Sequence, residues 1–178
     1  SRVLPDARFQ FQRQGEPPSR LFGLQDPEIQ NLSLTNEDNY RLQIFMPEDG
    51  PPNYLYVFQV DQDGKVHNMF PNPIYSNMVN PVSPGSKVHM PQSEADWLFY
   101  LVSPSQDSPK PVSETIYVVA SPWRARDLEG FFEKDSSDDL KKAPQEMIKA
   151  FKERIHLRET AGIASVYVES FTFGHAGQ

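Results

Sequence analysis

The chain has 178 residues, a length that suits one domain. It carries no cysteine, which excludes disulfides, thiol catalysis and zinc–thiolate sites. Its net charge is −7 with no dense Lys/Arg run, which argues against a nucleic-acid partner, since a polyanion is gripped by a basic patch.

Seventeen prolines are roughly twice the usual share. Proline fixes φ and removes a donor, so it belongs in turns, loops and sheet edges. With aromatic and β-branched residues as the main core carriers, the expectation is many short strands joined by proline-bearing turns. No segment approaches the ~20 apolar residues of a membrane span. Ser1 stands directly before strand-like sequence and looks like a trimmed start, compatible with a removed signal or lipid anchor. The compartment stays open, with the periplasm or cell envelope favoured over the cytoplasm.

In chain order, Ala7–Gln14 alternates with Phe9 and Phe11 on one face and Arg8, Gln10 and Gln12 on the other, a half-buried strand. Arg20–Ser33 reads mostly as loop, with a short strand at Ile29–Leu34. Asn31-Leu32-Ser33 matches a glycosylation sequon, a pattern frequent by chance. Tyr40–Met46 places Tyr40, Leu42, Ile44 and Met46 on one face. Asn53–Val60 has apolar residues on both faces, as a central strand requires. Asp61-Gln62-Asp63-Gly64 turns the chain into Lys65–Phe70, making a hairpin. Pro71–Gly85 is a long loop around Met78-Val79. Lys87–Met90, Trp97–Val102 and Thr115–Ala120 are strand-like. Ser121-Pro122 is an N-cap and first-turn proline that predicts a helix over about Trp123–Phe132. A second helix, regular from about Ala143 to Ile155, follows the spacing of Ala143, Met147, Phe151 and Ile155. Ala164–Phe173 closes with a last strand.

Chemistry-bearing patterns are sparse. Aligning Gly64 with the glycine of a calcium loop puts Gln59 and Phe70 where carboxylates are needed, so an acidic hairpin turn is the better reading. His67, His89, His156 and His175 are scattered; His67 and His89 lie on strands that could approach each other, but no third ligand is placed. There is no GxSxG elbow and no phosphate-binding glycine loop. No catalytic, cofactor-binding or metal-binding residue is assigned, and no cofactor is expected. The aromatics Trp97, Trp123, Tyr54, Tyr56, Tyr100 and Tyr117 serve a β core better than a stacking platform.

The run Tyr54–Asn72 (Tyr-Leu-Tyr-Val-Phe-Gln-Val-Asp-Gln-Asp-Gly-Lys-Val-His-Asn-Met-Phe-Pro-Asn) resembles the centre of a bacterial family, the domain of unknown function 4384. Met78–Pro81, Pro84-Gly85, Pro91 and Glu114–Ser121 are similar too, so the resemblance spans roughly Tyr40–Ser121. Members stand beside protein kinases, caspase-like peptidases and other signalling or envelope modules. The resemblance supplies no catalytic residues; it implies an accessory β domain. The longer Asp107–Ser113 loop replaces the family's usual glycine before the penultimate strand.

These readings converge on one β-rich domain over residues 1–178: a core at about 40–121, a helical insertion at about 122–157, and a final strand at about 164–173. The expected architecture is an antiparallel β-sandwich or open barrel of about seven to nine strands, with two helices before the last strand covering an edge or open end. The expected role is non-catalytic recognition of a protein partner in bacterial signalling or the cell envelope. The expected surface contains Phe70, Asn72, Tyr75, Met78 and Trp123. The alternatives are a glycan or small-ligand module of the envelope, requiring exposed aromatics, and a cryptic hydrolase, requiring a histidine that meets a carboxylate and a serine.

Overall fold

The computed structural model describes residues 4–61, 66–93, 112–133, 153 and 166–176. Within them the chain is mainly β and forms two sheets. The strands are β1 (Asp6–Gln12), β2 (Phe22–Gly23), β3 (Ser33–Thr35), β4 (Asn39–Phe45), β5 (Tyr54–Val60), β6 (Val66–Phe70), β7 (Lys87–Met90), β8 (Val112–Ser121) and β9 (Tyr167–Ala176). One sheet has the order β2-β1-β4-β7 and the other β3-β9-β8-β5-β6.

The alternating residues face where hydrophobic burial demands. Phe9, Tyr40, Leu42, Ile44, Val88 and Met90 come from the four-stranded sheet. They meet Leu55, Val57, Ile116, Val118, Phe171 and Phe173 from the five-stranded sheet in one core. Phe9 is the centre of its aromatic part, with ring centroids 4.9 Å from Phe171, 5.3 Å from Tyr40 and 5.8 Å from Phe173. The two sheets thus face each other across that core, and among the described residues no closed barrel forms. β5 is buried on both sides as its double apolar pattern requires. Tyr56, Phe58 and Val60 point outward into a second cluster with Val66, Val119, Leu128 and Val166.

Two expectations change. The sheets are not wholly antiparallel: β3 pairs in parallel with β9, joining Ser33 to Gly174 and Thr35 to Ala176. A three-residue strand carries too little pattern to announce its direction. The helix α1 (Arg126–Glu133) begins three residues later than its Ser-Pro signal suggests. Ser121 ends β8 instead, its Oγ accepting the Trp123 N–H at 3.0 Å. Ala125 takes over as the helix entry, since its C=O accepts from Glu129 N at 3.1 Å. Its own N–H donates to the Tyr56 hydroxyl at 2.9 Å. Beside a short 3-10 helix at Pro27–Ile29, α1 is the one α-helix that the described residues span. Of the second helix expected from Ala143 only Glu153 is described, and it is helical; the rest of that helix and the strand expected at Trp97–Val102 fall outside the described residues.

Strand ends follow donor chemistry. Pro71 follows β6 and Pro91 follows β7, each lacking the N–H that would extend the ladder. Among the described residues no helix is long and apolar enough to cross a membrane.

Candidate functional site

The loop from Pro71 to Gly85 is held by its polar side chains. Asn72 Oδ1 accepts from Ile74 N at 3.0 Å and its Nδ2 donates to Asn68 O at 2.8 Å, closing an Asx-type turn against the end of β6. Gln92 fixes the middle: its N–H donates to Tyr75 O at 2.8 Å and its Oε1 accepts from Asn77 N at 2.5 Å. Asn80 behaves as a strand neighbour of β5, accepting from Leu55 N at 2.8 Å and donating to Leu55 O at 2.9 Å. Val82 and Asn53 exchange backbone bonds of 2.7 and 3.1 Å. Gly85, at a φ of +75° that favours glycine, donates to Pro47 O at 2.7 Å.

These bonds fix which side chains turn outward. Tyr75 and Met78 are half-buried against the main core, and Val82 is buried in it. Ile74 is 75% exposed and Val79 72% exposed. No charged residue occurs between Pro71 and Ser86. The Pro47–Gly85 bond sets this neutral surface beside the turn carrying exposed Glu48 and Asp49.

Of the five residues expected at the surface, Phe70 is fully enclosed in the core, where β6 pairs it with Val57. Asn72 acts inside the loop, and Tyr75 and Met78 show only their edges. Trp123 is 37% exposed. It lies two residues past Ser121, which pairs with Tyr54, so it shares an end of the five-stranded sheet with the Asn53–Val82 bridge. The strongly exposed apolar pair, Ile74 and Val79, was not among the five. The loop's asparagine spacing holds no signal that separates an outward aliphatic from an inward one.

The other aromatics that are described pack at the start of α1 or against the second cluster. Tyr56 is buried, and its hydroxyl donates to Glu129 Oε1 at 2.9 Å while receiving the Ala125 N–H. Glu129 Oε2 in turn receives Arg124 Nε at 2.6 Å, so Tyr56 anchors the start of α1. Burial pushes the Tyr56 phenol well above its ordinary pKa. Tyr54 and Tyr117 are half-buried beside the second cluster, with Tyr117 stacked on Phe58. Trp97 and Tyr100 lie outside the described residues.

A buried polar chain occupies the opposite end of the five-stranded sheet. Tyr40 donates its hydroxyl hydrogen to Gln59 Oε1. Gln59 Nε2 donates to Glu114 Oε2 at 3.0 Å. Glu114 Oε1 lies 3.3 Å from His175 Nδ1, and His175 Nε2 lies 2.6 Å from Asn36 Oδ1. Glu114 and His175 are fully enclosed. Burial drives the Tyr40 phenol far above its ordinary pKa, with the charge of Glu114 adding to the effect. A histidine therefore does meet a carboxylate, but its third partner is an amide, which offers no nucleophile.

His67 and His89 belong to different sheets, on β6 and β7. Among the described residues no group of three or more His, Cys, Asp or Glu is placed to hold a metal ion. Gly64, the pivot of the calcium comparison, lies outside the described residues, as does His156.

Residues 36–123 match the family described as Domain of unknown function (DUF4384). The matched stretch contributes β4 to β8, while β1, β2, β3 and β9 come from outside it. No curated protein and no solved structure matches the chain.

Proposed function

We propose that this chain, whose residues 36–123 form a DUF4384 domain, is a non-catalytic, sandwich-like module that recognises a protein partner in bacterial signalling or the cell envelope. The observation that carries the reading is the Pro71–Gly85 loop: an uncharged segment, fixed by side-chain amides, that turns Ile74 and Val79 into solvent. Exposed aliphatic side chains cost free energy in water unless another surface covers them. A loop already held in place loses little conformational entropy when that happens, so contact area converts to affinity at lower ordering cost. Loops on a rigid β scaffold are the usual bearers of recognition.

The buried Glu114–His175 pair supports a non-catalytic reading, because it is sealed from substrate and its remaining ring nitrogen is taken by Asn36. Affinity capture tests the proposal. The immobilised chain is exposed separately to envelope and cytosolic fractions, alongside an Ile74→Ser/Val79→Ser variant. A saturable protein retained by the unmodified chain and lost by the variant supports the reading. A protein retained equally by both refutes the loop as its site. Retention of glycans in place of protein would move the assignment to the envelope-ligand alternative, with Trp123 as its exposed ring.

A further inference from the structure

The uncharged loop has an acidic border on one side. Pro47 O accepts from Gly85 N at 2.7 Å, and Asn53 exchanges two backbone bonds with Val82. The turn between Pro47 and Asn53 is thereby fastened at both ends to the second half of the loop. Its exposed Glu48 and Asp49 stand towards Val79. Ile74 is anchored elsewhere, because Asn72 closes the first half of the loop onto Asn68 of β6.

Other carboxylates are answered from within the chain. Asp6 meets Arg8 at 2.8 Å, Asp26 meets Arg20 at 3.2 Å, and Glu129 meets Arg124 at 2.6 Å. Among the described residues no cation pairs with Glu48 or Asp49. Lys87, which directly follows the uncharged run, lies over the Phe45 ring at 5.3 Å from its centroid. Phe45 and Lys87 alternate with the inward Ile44 and Val88, so that charge belongs to the sheet face turned from the core.

We infer that the loop takes a protein segment in which an aliphatic or aromatic side chain stands close to a lysine or arginine. The apolar side chain covers Ile74 and Val79, and the cation meets Glu48 and Asp49. This inference rests on the loop being a recognition surface and adds the charge and orientation of its occupant. A second copy of the chain fits poorly, since a self-complementary contact through the loop brings two acidic turns together on chains of net charge −7. An anionic bilayer fits poorly for the same reason. Two aliphatic side chains bordered by two carboxylates make a small contact of the transient kind, in which charge selects the partner and speeds encounter.

Peptide selection tests the inference. Random peptides displayed on phage are selected on the immobilised full chain, and enriched sequences are synthesised and titrated. The titrations compare the unmodified chain with Glu48→Gln/Asp49→Asn and with Ile74→Ser/Val79→Ser. All four positions are exposed, so both variants are expected to fold, and an unchanged urea midpoint verifies it. Enriched peptides should combine an apolar residue with a nearby Lys or Arg. Their affinity should fall roughly threefold to tenfold when the carboxylates are neutralised, the worth of two exposed ion pairs. It should fall by more than about tenfold when the aliphatic pair is replaced. Added salt should weaken binding to the unmodified chain and barely affect the neutralised variant. Peptides without a basic residue, or equal affinity for the neutralised variant, overturn the inference and leave the loop as a recognition surface. Indifference to Ile74→Ser/Val79→Ser overturns both. The inference also fails if no peptide is enriched, or if the loop instead mediates dimers or binding to phosphatidylglycerol vesicles that Ile74→Ser/Val79→Ser abolishes.

Discussion

Truncating Phe9 to alanine tests whether strands outside the matched stretch are integral to the domain. Phe9 is wholly enclosed and its ring lies within 6.4 Å of four others: Phe11, Tyr40, Phe171 and Phe173. Two of these partners, Phe171 and Phe173, come from β9 on the opposite sheet, so the ring sits where the sheets meet. A buried Phe→Ala change costs about 3–5 kcal/mol, from lost transfer free energy plus the cavity left behind. Aromatic neighbours each add about 0.5–1.5 kcal/mol of geometry-specific attraction, which places Phe9 in the upper half of that range. A loss of about 4 kcal/mol is a large share of the 5–15 kcal/mol that holds a typical domain together. With an m-value of roughly 2 kcal/mol/M in urea, the midpoint should fall by about 2 M. Equilibrium urea unfolding followed by tyrosine and tryptophan fluorescence measures it, with Ile74→Ser as a surface control expected to stay within about 0.5 kcal/mol. A Phe9→Ala loss below about 1 kcal/mol would refute the placement of β1 in the shared core.

Tyr56→Phe should remove the hydroxyl that serves both Glu129 and Ala125 N, at a cost of about 1–2 kcal/mol. Loss of protection in α1 by hydrogen exchange, with the strands unchanged, is the expected signature. In the unmodified chain, the raised Tyr40 and Tyr56 phenols keep their protons when folded, while unfolded tyrosines ionise near pH 10. Their stabilising contribution is therefore complete below that pH and is lost as the solution becomes more alkaline, which thermal melts between pH 8 and pH 11 would reveal. Glu169 is raised chiefly by burial, with Asp6 adding repulsion, so the fold favours its protonated form. Its contribution is present at acid pH and lost as pH rises past the carboxylate range. Glu169→Gln should accordingly be neutral or stabilising at pH 7, and a marked drop in Tm would contradict that sign.

Much of the fold was legible because alternation directly records which face is wet. Phe9, Leu42, Ile44, Leu55 and Val57 announce their strands and their common core. The buried polar chain was harder to read, since a Gln, Glu or His in an alternating strand resembles its solvent side. Parity holds the signal: Gln59 continues the inward series Leu55, Val57; Glu114 precedes Ile116 and Val118; His175 follows Phe171 and Phe173. Three polar residues at inward positions of neighbouring strands must satisfy one another, as they do here. Phe70 is expected at the surface, yet it pairs with Val57 and lies inside the core. The parallel pairing of β3 was not legible, because direction depends on where the chain returns rather than on local pattern.

Recognition through the Pro71–Gly85 loop is tested most directly by site-specific photocrosslinking. The chain has no cysteine, so Val79→Cys provides one unique attachment point on the exposed loop. Thr172→Cys provides another on an exposed position of β9. Each is labelled with a benzophenone and irradiated with the fractions used for capture. A single saturable protein adduct from position 79 and none from position 172 is the predicted result. Equal adducts from both positions, or an adduct from position 172 alone, would contradict the loop as the recognition surface.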